Sequence, residues 1–182
     1  MKIKVKIKSM PGLVIPKNAH DSDAGYDIIA TSEPNFVGEK SGLNSWKRLD
    51  YIEYQTNIFI QPVFEVDKEF YWLNNYFHTL IMARSSISSK NLVLCNSVGL
   101  ADASYTGQLL CRFQYIWQPY DLRICPLGSI EGVIDTNKIY QKNQKIAQLV
   151  FQPTIHADFI EVEELEETER GENGFGSSDK KV

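Results

Sequence analysis

Apolar and polar residues alternate in short runs along most of this chain. Ile3, Val5 and Ile7 alternate with lysines near the start, which is the period of two expected of a strand with one buried face. Runs rich in β-branched and aromatic residues predict further strands at 26–30, 51–60, 76–82, 109–117, 146–151 and 159–162. The seven prolines lie between or beside these runs, as expected of turns and sheet edges. The pattern therefore predicts an all-β sandwich or barrel of short strands.

Other segments lack this alternation. Residues 85–91 are predicted to form one or two helical turns. No segment repeats apolar residues at helical spacing over a long stretch with capping residues at its ends. Residues 33–50 are polar and contain glycine, serine and asparagine, which predicts a loop. Residues 120–144 mix short apolar runs with glycines, which is typical of an extra hairpin. Residues 161–169 are rich in carboxylates, and we expect them to form a solvated linker.

Composition narrows the class of protein. With 182 residues, 43% of them hydrophobic, the chain is long enough for one globular domain with a proper core. A net charge of -4 argues against a protein that holds duplex nucleic acid by its phosphates. Three cysteines without paired spacing favour reduced thiols. No apolar stretch is long enough for a signal peptide or a membrane span, so we expect a soluble cytoplasmic or intracellular protein without a membrane partner.

A single carboxylate, Asp102, lies between two glycines in the segment 96–108. We interpret this segment as a β-hairpin whose turn leaves backbone groups available to the edge of a flat ligand. An aspartate held there can orient and deprotonate a water molecule, or it can cap its own turn. Upstream, Ala83-Arg84-Ser85-Ser86 offers a guanidinium, hydroxyls and backbone amides to an anion.

The segment 170–178 combines residue types that suit a nucleotide. Its three glycines let the backbone approach a ligand closely. Arg170 can clamp a phosphate with its planar fork, and Phe175 can stack on a ring. The segment is interpreted as a tail that closes over a nucleotide, and the alternative is an unstructured chain end.

Five segments occur in a fixed order along the chain. They are Asp23-Ala24-Gly25-Tyr26-Asp27-Ile28, Ala83-Arg84-Ser85-Ser86, Gly99-Leu100-Ala101-Asp102-Ala103-Ser104-Tyr105-Thr106-Gly107, Ile146-Ala147-Gln148-Leu149-Val150 and the tail 170–178. This series resembles the five ordered motifs of the homotrimeric dUTP nucleotidohydrolases (dUTPases), and the resemblance spans about residues 14–178.

The resemblance implies a role for each matching position. Asp102 matches the aspartate that activates water for attack on the α-phosphorus, which yields dUMP and pyrophosphate. Tyr105 matches the aromatic residue beneath the deoxyribose, and Asp27 matches an aspartate near metal-bound waters. The positions that match substrate contacts are Arg84, Ser85, Ser86, Asn96, Gly99, Gln148, Arg170, Phe175, Gly176 and Ser177.

The resemblance also implies the assembly and the cofactor. The family fold is a jelly-roll-like β subunit, and three copies form a homotrimer with a swapped C-terminal arm. Residues 1–163 would form the β domain, with insertions at about 33–50 and 120–144, and residues 164–182 the acidic linker and arm. Mg²⁺ would be held mainly by the triphosphate oxygens, since magnesium keeps several of its waters.

Two other functions stay open. The dCTP deaminases share this fold but use a glutamate on the strand after the aspartate segment, and 109–113 contains no carboxylate. Alternatively, the chain is a regulatory scaffold that binds a protein partner through 120–144, near whose start Trp117 and Tyr120 lie.

Overall fold

The computed structural model of this chain describes residues 3–63, 77–126 and 128–172. Twelve strands and several short 3-10 helices lie within them. In chain order the strands are β1 (Lys4–Ile7), β2 (Tyr26–Ile29), β3 (Asn35–Lys40), β4 (Trp46–Tyr54), β5 (Ile60–Val63), β6 (Phe77–Ala83), β7 (Leu92–Leu94), β8 (Val98–Ala101), β9 (Cys111–Tyr115), β10 (Leu122–Ile124), β11 (Ile130–Gly132) and β12 (Lys145–Pro153). The 3-10 helices cover Ser85–Ser89, Pro119–Asp121 and Thr136–Lys138.

The strands form three antiparallel sheets. A four-stranded sheet has the order β2-β12-β6-β8 and a six-stranded sheet has the order β10-β11-β4-β9-β7, with β3 paired to β4. A third sheet contains β1 and β5. The all-β fold expected from the alternating pattern is therefore confirmed, as is the jelly-roll-like architecture that the resemblance implied.

The two larger sheets enclose one core. Alternate residues of the central strands point into it, such as Ile52 and Tyr54 of β4 or Phe113 of β9 from one sheet, and Ile28 and Leu149 from the other. The rings of Tyr54 and Phe113 meet edge to face with their centroids 5.8 Å apart. Burial on one side of each strand leaves the other side of the four-stranded sheet open, and the candidate site lies there.

Three expectations for local structure are wrong. Residues 33–50 form a hairpin of β3 and β4 rather than a loop, because β4 buries its alternate residues on the core while β3 covers its edge. Residues 96–108 are not a hairpin, since β8 pairs with β6 whereas β9 joins the other sheet. Residues 159–162 form no strand, and Phe159 is 98% exposed.

The segment 120–144 contains the expected hairpin, made of β10 and β11. Its base is fastened to the sheet by Asp121, whose buried carboxylate accepts hydrogen bonds from the Tyr115 hydroxyl (3.0 Å) and the Gln118 amide (2.9 Å). Gly132 pairs with Trp46 of β4, so the two segments interpreted as insertions contact each other. Among the described residues no helix is long and apolar enough to cross a membrane.

Candidate active site

A cluster of polar and charged side chains lies where three strands of the four-stranded sheet meet. Asp27 of β2 is opposite Gln148 of β12, and β12 brings Ala147 opposite Ala83, the last residue of β6. Arg84 follows directly. Its Nε donates to Oδ1 of Asp27 at 2.8 Å, and the Lys145 Nζ lies 2.7 Å from Oδ2. We call Asp27, Arg84, Lys145 and Gln148 the cationic corner.

A β-bulge in β12 places Lys145 in this corner. In a regular strand, Lys145 and Gln148 would point to opposite faces because they are three positions apart. The register shifts between Lys145 and Ala147, and both Ile146 and Ala147 are buried. The extra inward residue returns Lys145 to the outer face beside Gln148.

The charge of Asp27 is stabilised at this place. Its side chain is only 10% exposed, and burial acts to raise its pKa. The hydrogen bond from Lys145 and the charges of Arg84 and Lys145 outweigh that effect, so the pKa of Asp27 lies below the ordinary 3.8. The carboxylate is therefore ionised at neutral pH.

Hydroxyls surround the other side of Arg84. Its Nη1 donates to the Ser86 Oγ at 3.3 Å, and Ser85 and Ser86 begin the 3-10 helix with exposed side chains. The Tyr140 hydroxyl is buried without a hydrogen-bond partner among the described residues. Burial raises the pKa of Tyr140, and the Ser86 hydroxyl and the Arg84 charge act in the opposite direction. Sequence reasoning missed Tyr140 and Lys145.

Asp102 lies in a separate loop. It follows β8 directly, and its carboxylate is exposed, with no hydrogen bond or ion pair to the described part of the chain. The Asp102 carbonyl accepts from the Tyr105 amide at 3.0 Å, which closes a turn. The far end of the loop is fixed because the Leu109 amide donates to Ile58 O at 2.9 Å. A fixed loop with a solvent-facing carboxylate can present a base to a ligand.

Tyr105 lies over Gly107 in this loop. Its hydroxyl donates to Gln108 O at 3.1 Å, and a Cβ on Gly107 would come within 2.5 Å of the phenol oxygen. The ring is 48% exposed. Nearby, the Asn96 amide nitrogen would lie 3.1 Å from a Cβ on Gly99, so these two residues are in contact at the start of β8.

The cationic corner and the Asp102 loop are at opposite ends of the β6–β8 pair. Ala101 is opposite Thr79, whereas Arg84 follows the other end of β6. At about 3.3 Å per residue, the path from Thr79 to Arg84 is about 16 Å long. One copy of the chain therefore does not bring Asp102 to Arg84.

An apolar strip covers the outer face between these two ends. Leu100 is opposite Leu80, and Val98 is opposite Met82. Leu100 is 64% exposed, and Val98 and Met82 are also exposed. We call Leu80, Met82, Val98 and Leu100 the outer strip. Exposed apolar patches of this kind mark contact surfaces.

Only the first part of the predicted tail 170–178 lies within the described residues. Arg170 is exposed in the segment after β12, where the described residues 154–172 form no strand or helix. The predicted contacts Phe175, Gly176 and Ser177 lie outside the described residues.

A protein-held magnesium ion does not fit the residues that the structure describes. Both oxygens of Asp27 already contact cations, at 2.8 and 2.7 Å. No group of three His, Cys, Asp or Glu side chains suitable for a metal occurs in the described ranges. The link between Asp27 and metal-bound waters, which the resemblance implied, stays a prediction, and this geometry argues against it.

The fold and the site define a jelly-roll-like β-protein with a cationic corner whose groups suit phosphate. Residues 134–179 match the family model described as dUTPase. The deoxyuridine 5'-triphosphate nucleotidohydrolase of Tolumonas auensis is 38% identical over 99 residues, which are 54% of this chain and 54% of that protein. The chain thus spans about half the length of the curated relatives it matches first. The protein of the same description from Clostridium novyi is 29% identical over 98% of this chain and 99% of its own.

Solved structures of dUTPases share the fold of this chain. A mutant dUTPase of Staphylococcus bacteriophage 80alpha, bound to dUpNHpp, has a TM-score of 0.63 and 24% identity and covers 97% of this chain and 98% of its own. The dUTPase from phage phi11 of S. aureus, described with a species-specific insert, has a TM-score of 0.57 and 23% identity over 92% and 100% of the two chains. The chain is thus similar to dUTPases in sequence and shares the fold of these solved structures.

Proposed function

We propose that this protein hydrolyses dUTP to dUMP and pyrophosphate, with Asp102 activating the attacking water. The observation that carries the proposal is the distribution of charge on the four-stranded sheet. A cationic corner lies at one end of the outer face, and an exposed carboxylate without a described partner lies at the other. Cleavage of a phosphoanhydride needs charge neutralisation and an aligned water more than covalent chemistry.

Each part of the site would contact one part of the nucleotide. Arg84, Ser85, Ser86 and Gln148 would hold phosphate oxygens, and the exposed hydroxyls and guanidinium suit that role. Asn96 and the backbone at Gly99 would contact the uracil edge, and Tyr105 would lie beneath the deoxyribose. Arg170, Phe175, Gly176 and Ser177 would close over the bound nucleotide. Mg²⁺ carried by the triphosphate would neutralise part of its charge.

The site would be completed by other copies of the chain in a homotrimer. About 16 Å of strand separates Arg84 from the residue opposite Ala101, so the two ends need a second copy in order to meet. The outer strip between them would be buried in that contact. A swapped arm is supported by the apolar residues exposed after β12, which are Ile155, Phe159, Ile160, Val162 and Leu165.

The physiological role follows from the reaction. Removal of dUTP keeps uracil out of DNA, and the product dUMP is the substrate for thymidylate synthesis. Nothing in the described site favours deamination of dCTP, because β9 (Cys111–Tyr115), the strand after the Asp102 loop, contains no carboxylate.

Product analysis tests the proposal directly. Purified protein is incubated with Mg²⁺ and dUTP, dCTP, dTTP or UTP, and nucleotides, pyrophosphate and ammonia are measured. We expect dUMP and pyrophosphate from dUTP alone. Asp102→Asn should lower kcat by about a hundredfold or more while dUpNHpp still binds, because a general base contributes that much. Ammonia from dCTP, or full turnover by Asp102→Asn, would overturn the assignment.

A second function, binding of a protein partner, is favoured by one face of the β10–β11 hairpin. Ile124 is opposite Ile130, and with Leu122 they form an apolar face on which Ile124 is 82% exposed. The dUTPases of phage 80alpha are described as controlling transfer of virulence genes, which extends beyond hydrolysis. We propose that this face binds a protein.

The opposite face of the same hairpin supplies the control. The double variant Ile124→Ser/Ile130→Ser should retain hydrolysis and lose capture of the partner, whereas Arg123→Ser/Glu131→Ser should retain both. Identification of the partner by crosslinking through the hairpin must precede this comparison. Loss of hydrolysis in the first variant would show that the face serves the enzyme's own fold or assembly instead.

A further inference from the structure

The cationic corner has an unusual arrangement, in which one carboxylate is shared by two cations. Oδ1 of Asp27 accepts from Arg84 Nε at 2.8 Å, and Oδ2 contacts Lys145 Nζ at 2.7 Å. The carboxylate binds the guanidinium through Nε and not across its two terminal nitrogens. Nη1 donates to Ser86 Oγ at 3.3 Å, so one terminal nitrogen faces a hydroxyl that would line a phosphate site.

We propose that Asp27 is a positioning residue that fixes the Arg84 guanidinium for the substrate's phosphates, while Lys145 neutralises the charge that Asp27 brings. This inference rests on the proposed function and assigns Asp27 a role that needs no metal. The three side chains carry a net charge of about +1, so the corner still attracts phosphate despite its carboxylate. Without Lys145, Asp27 would cancel the charge of Arg84.

The fold supports this division of roles. Asp27 is held on β2, and its side chain is only 10% exposed, whereas that of Arg84 is 25% exposed and that of Lys145 is 49% exposed. Asp27, the most buried of the three side chains, thus fixes the more exposed guanidinium of Arg84. The bulge in β12 brings Lys145 to the same face, and a regular strand would not.

The charge-neutral double variant Asp27→Asn/Lys145→Met separates positioning from electrostatics. It removes one negative and one positive charge, so the net charge of the corner is unchanged and Arg84 alone is released. We expect binding of dUpNHpp and of inorganic tripolyphosphate, measured by calorimetry in EDTA, to weaken about tenfold, as expected when a charged donor loses its orientation. Unchanged affinity would overturn the proposal.

The competing explanations of the role of Asp27 predict different results for the single variants. If Asp27 acts only as a repulsive charge, Asp27→Asn tightens tripolyphosphate binding. If it positions Arg84, binding weakens, and the effect disappears in an Arg84→Lys background because there is no guanidinium to orient. If it acts through metal-bound waters, binding in EDTA is unchanged and the Mg²⁺ concentration for half-maximal activity rises. The first and third results would overturn the proposal.

Two controls keep the inference separate from the proposed function. Asp50→Asn breaks an exposed pair of the same type, Arg48 Nε to Asp50 Oδ1 at 2.8 Å, and should leave ligand binding unchanged. Hydrolysis of dUTP by the wild-type protein tests the function independently, since the binding assays need no turnover. Lys145→Met alone should weaken tripolyphosphate binding and reduce its salt dependence, and an unaltered salt dependence would contradict the role of Lys145.

Discussion

At the scale of single residues, the candidate site depends on glycines that leave room for a neighbouring side chain. A Cβ on Gly25 would lie 3.0 Å from the Gln148 Oε1, and one on Gly99 would lie 3.1 Å from the Asn96 Nδ2. Contacts this close mean that the polar side chain rests directly on the glycine backbone. The same glycines that set the sequence motifs therefore also fix the side chains beside them.

Gly107 allows the sharpest test of this relation. Gly107→Ala would place a Cβ 2.5 Å from the Tyr105 hydroxyl oxygen and 2.6 Å from its Cζ, so the ring must move. We expect kcat/KM for dUTP to fall about tenfold and discrimination against UTP to weaken, because the surface beneath the sugar is displaced.

Kinetics with the two nucleotides, together with a thermal melt, measure this effect. Tyr105→Phe is the matched control, since it removes the hydrogen bond to Gln108 O and keeps the ring. A Gly107→Ala enzyme with wild-type selectivity would show that Tyr105 does not contact the sugar.

At the scale of elements, the β10–β11 hairpin depends on one buried polar network. Tyr115 OH donates to Asp121 Oδ2 and accepts from the Asp135 amide at 3.1 Å, while the Trp117 ring packs against Tyr115 with centroids 4.9 Å apart. Asp121 is 3% exposed. The hairpin is therefore built into the end of the sheet.

Asp121→Ala should detach that base. It leaves the Tyr115 hydroxyl and the Gln118 amide without their acceptor, which costs about 1–3 kcal/mol per buried group left unpaired. Urea unfolding should show a loss of about 1–3 kcal/mol for the buried Tyr115 hydroxyl and a smaller loss for the part-buried Gln118 amide. We expect dUTP turnover to be largely retained, because Tyr115, Gln118 and Asp121 belong neither to the cationic corner nor to the Asp102 loop. Asp50→Ala, at an exposed ion pair, should change stability by less than about 0.5 kcal/mol. Equal effects of the two variants would contradict an anchoring role.

The sequence predicted elements where alternation and burial coincide. In β9 the buried residues Cys111, Phe113 and Tyr115 alternate with exposed ones, and the apolar pattern identifies them. β3 was missed because it covers an edge and buries little, so its residues read as polar. The β-branched and aromatic residues at 159–162 predicted a strand, yet a strand needs a partner strand, and within the described residues none is beside it. The alternation of apolar residues indicates which face of a strand is buried, but it does not indicate which strands pair with it.

The site was predictable to a similar extent. Local motifs predicted Arg84, Gln148 and Asp102 as site residues. The structure brings the first two to one corner of the sheet, and the roles of all three stay predictions. Lys145 was missed because its position depends on a bulge that periodicity does not reveal. Tyr140 was missed because burial of its hydroxyl depends on distant parts of the chain. Local pattern identifies groups, while tertiary structure decides which of them meet.

At the scale of the whole molecule, the outer strip indicates how copies of the chain would meet. Leu100→Glu would place a charge in the middle of that strip, on a residue that is 64% exposed in one copy. We expect a protein of three times 20.8 kDa to dissociate into single chains that retain their β circular dichroism. Light scattering measures the mass. Leu43→Glu, at a residue that is 92% exposed in the β3–β4 turn, should leave the mass unchanged. A Leu100→Glu protein of wild-type mass would place the interface elsewhere.

Mixing of subunits tests whether the site is shared between copies. Asp102→Asn and Arg84→Ala chains should each be inactive, because under the proposed function one lacks the general base and the other lacks the guanidinium that would hold the phosphates. If one site takes Arg84 from one copy and Asp102 from another, unfolding and refolding the two variants together restores part of the activity, since some sites then receive both intact residues. If both residues of a site come from the same copy, every site keeps one defect and the mixture stays inactive. The separation of Arg84 and Asp102 along the β6–β8 pair predicts the first result.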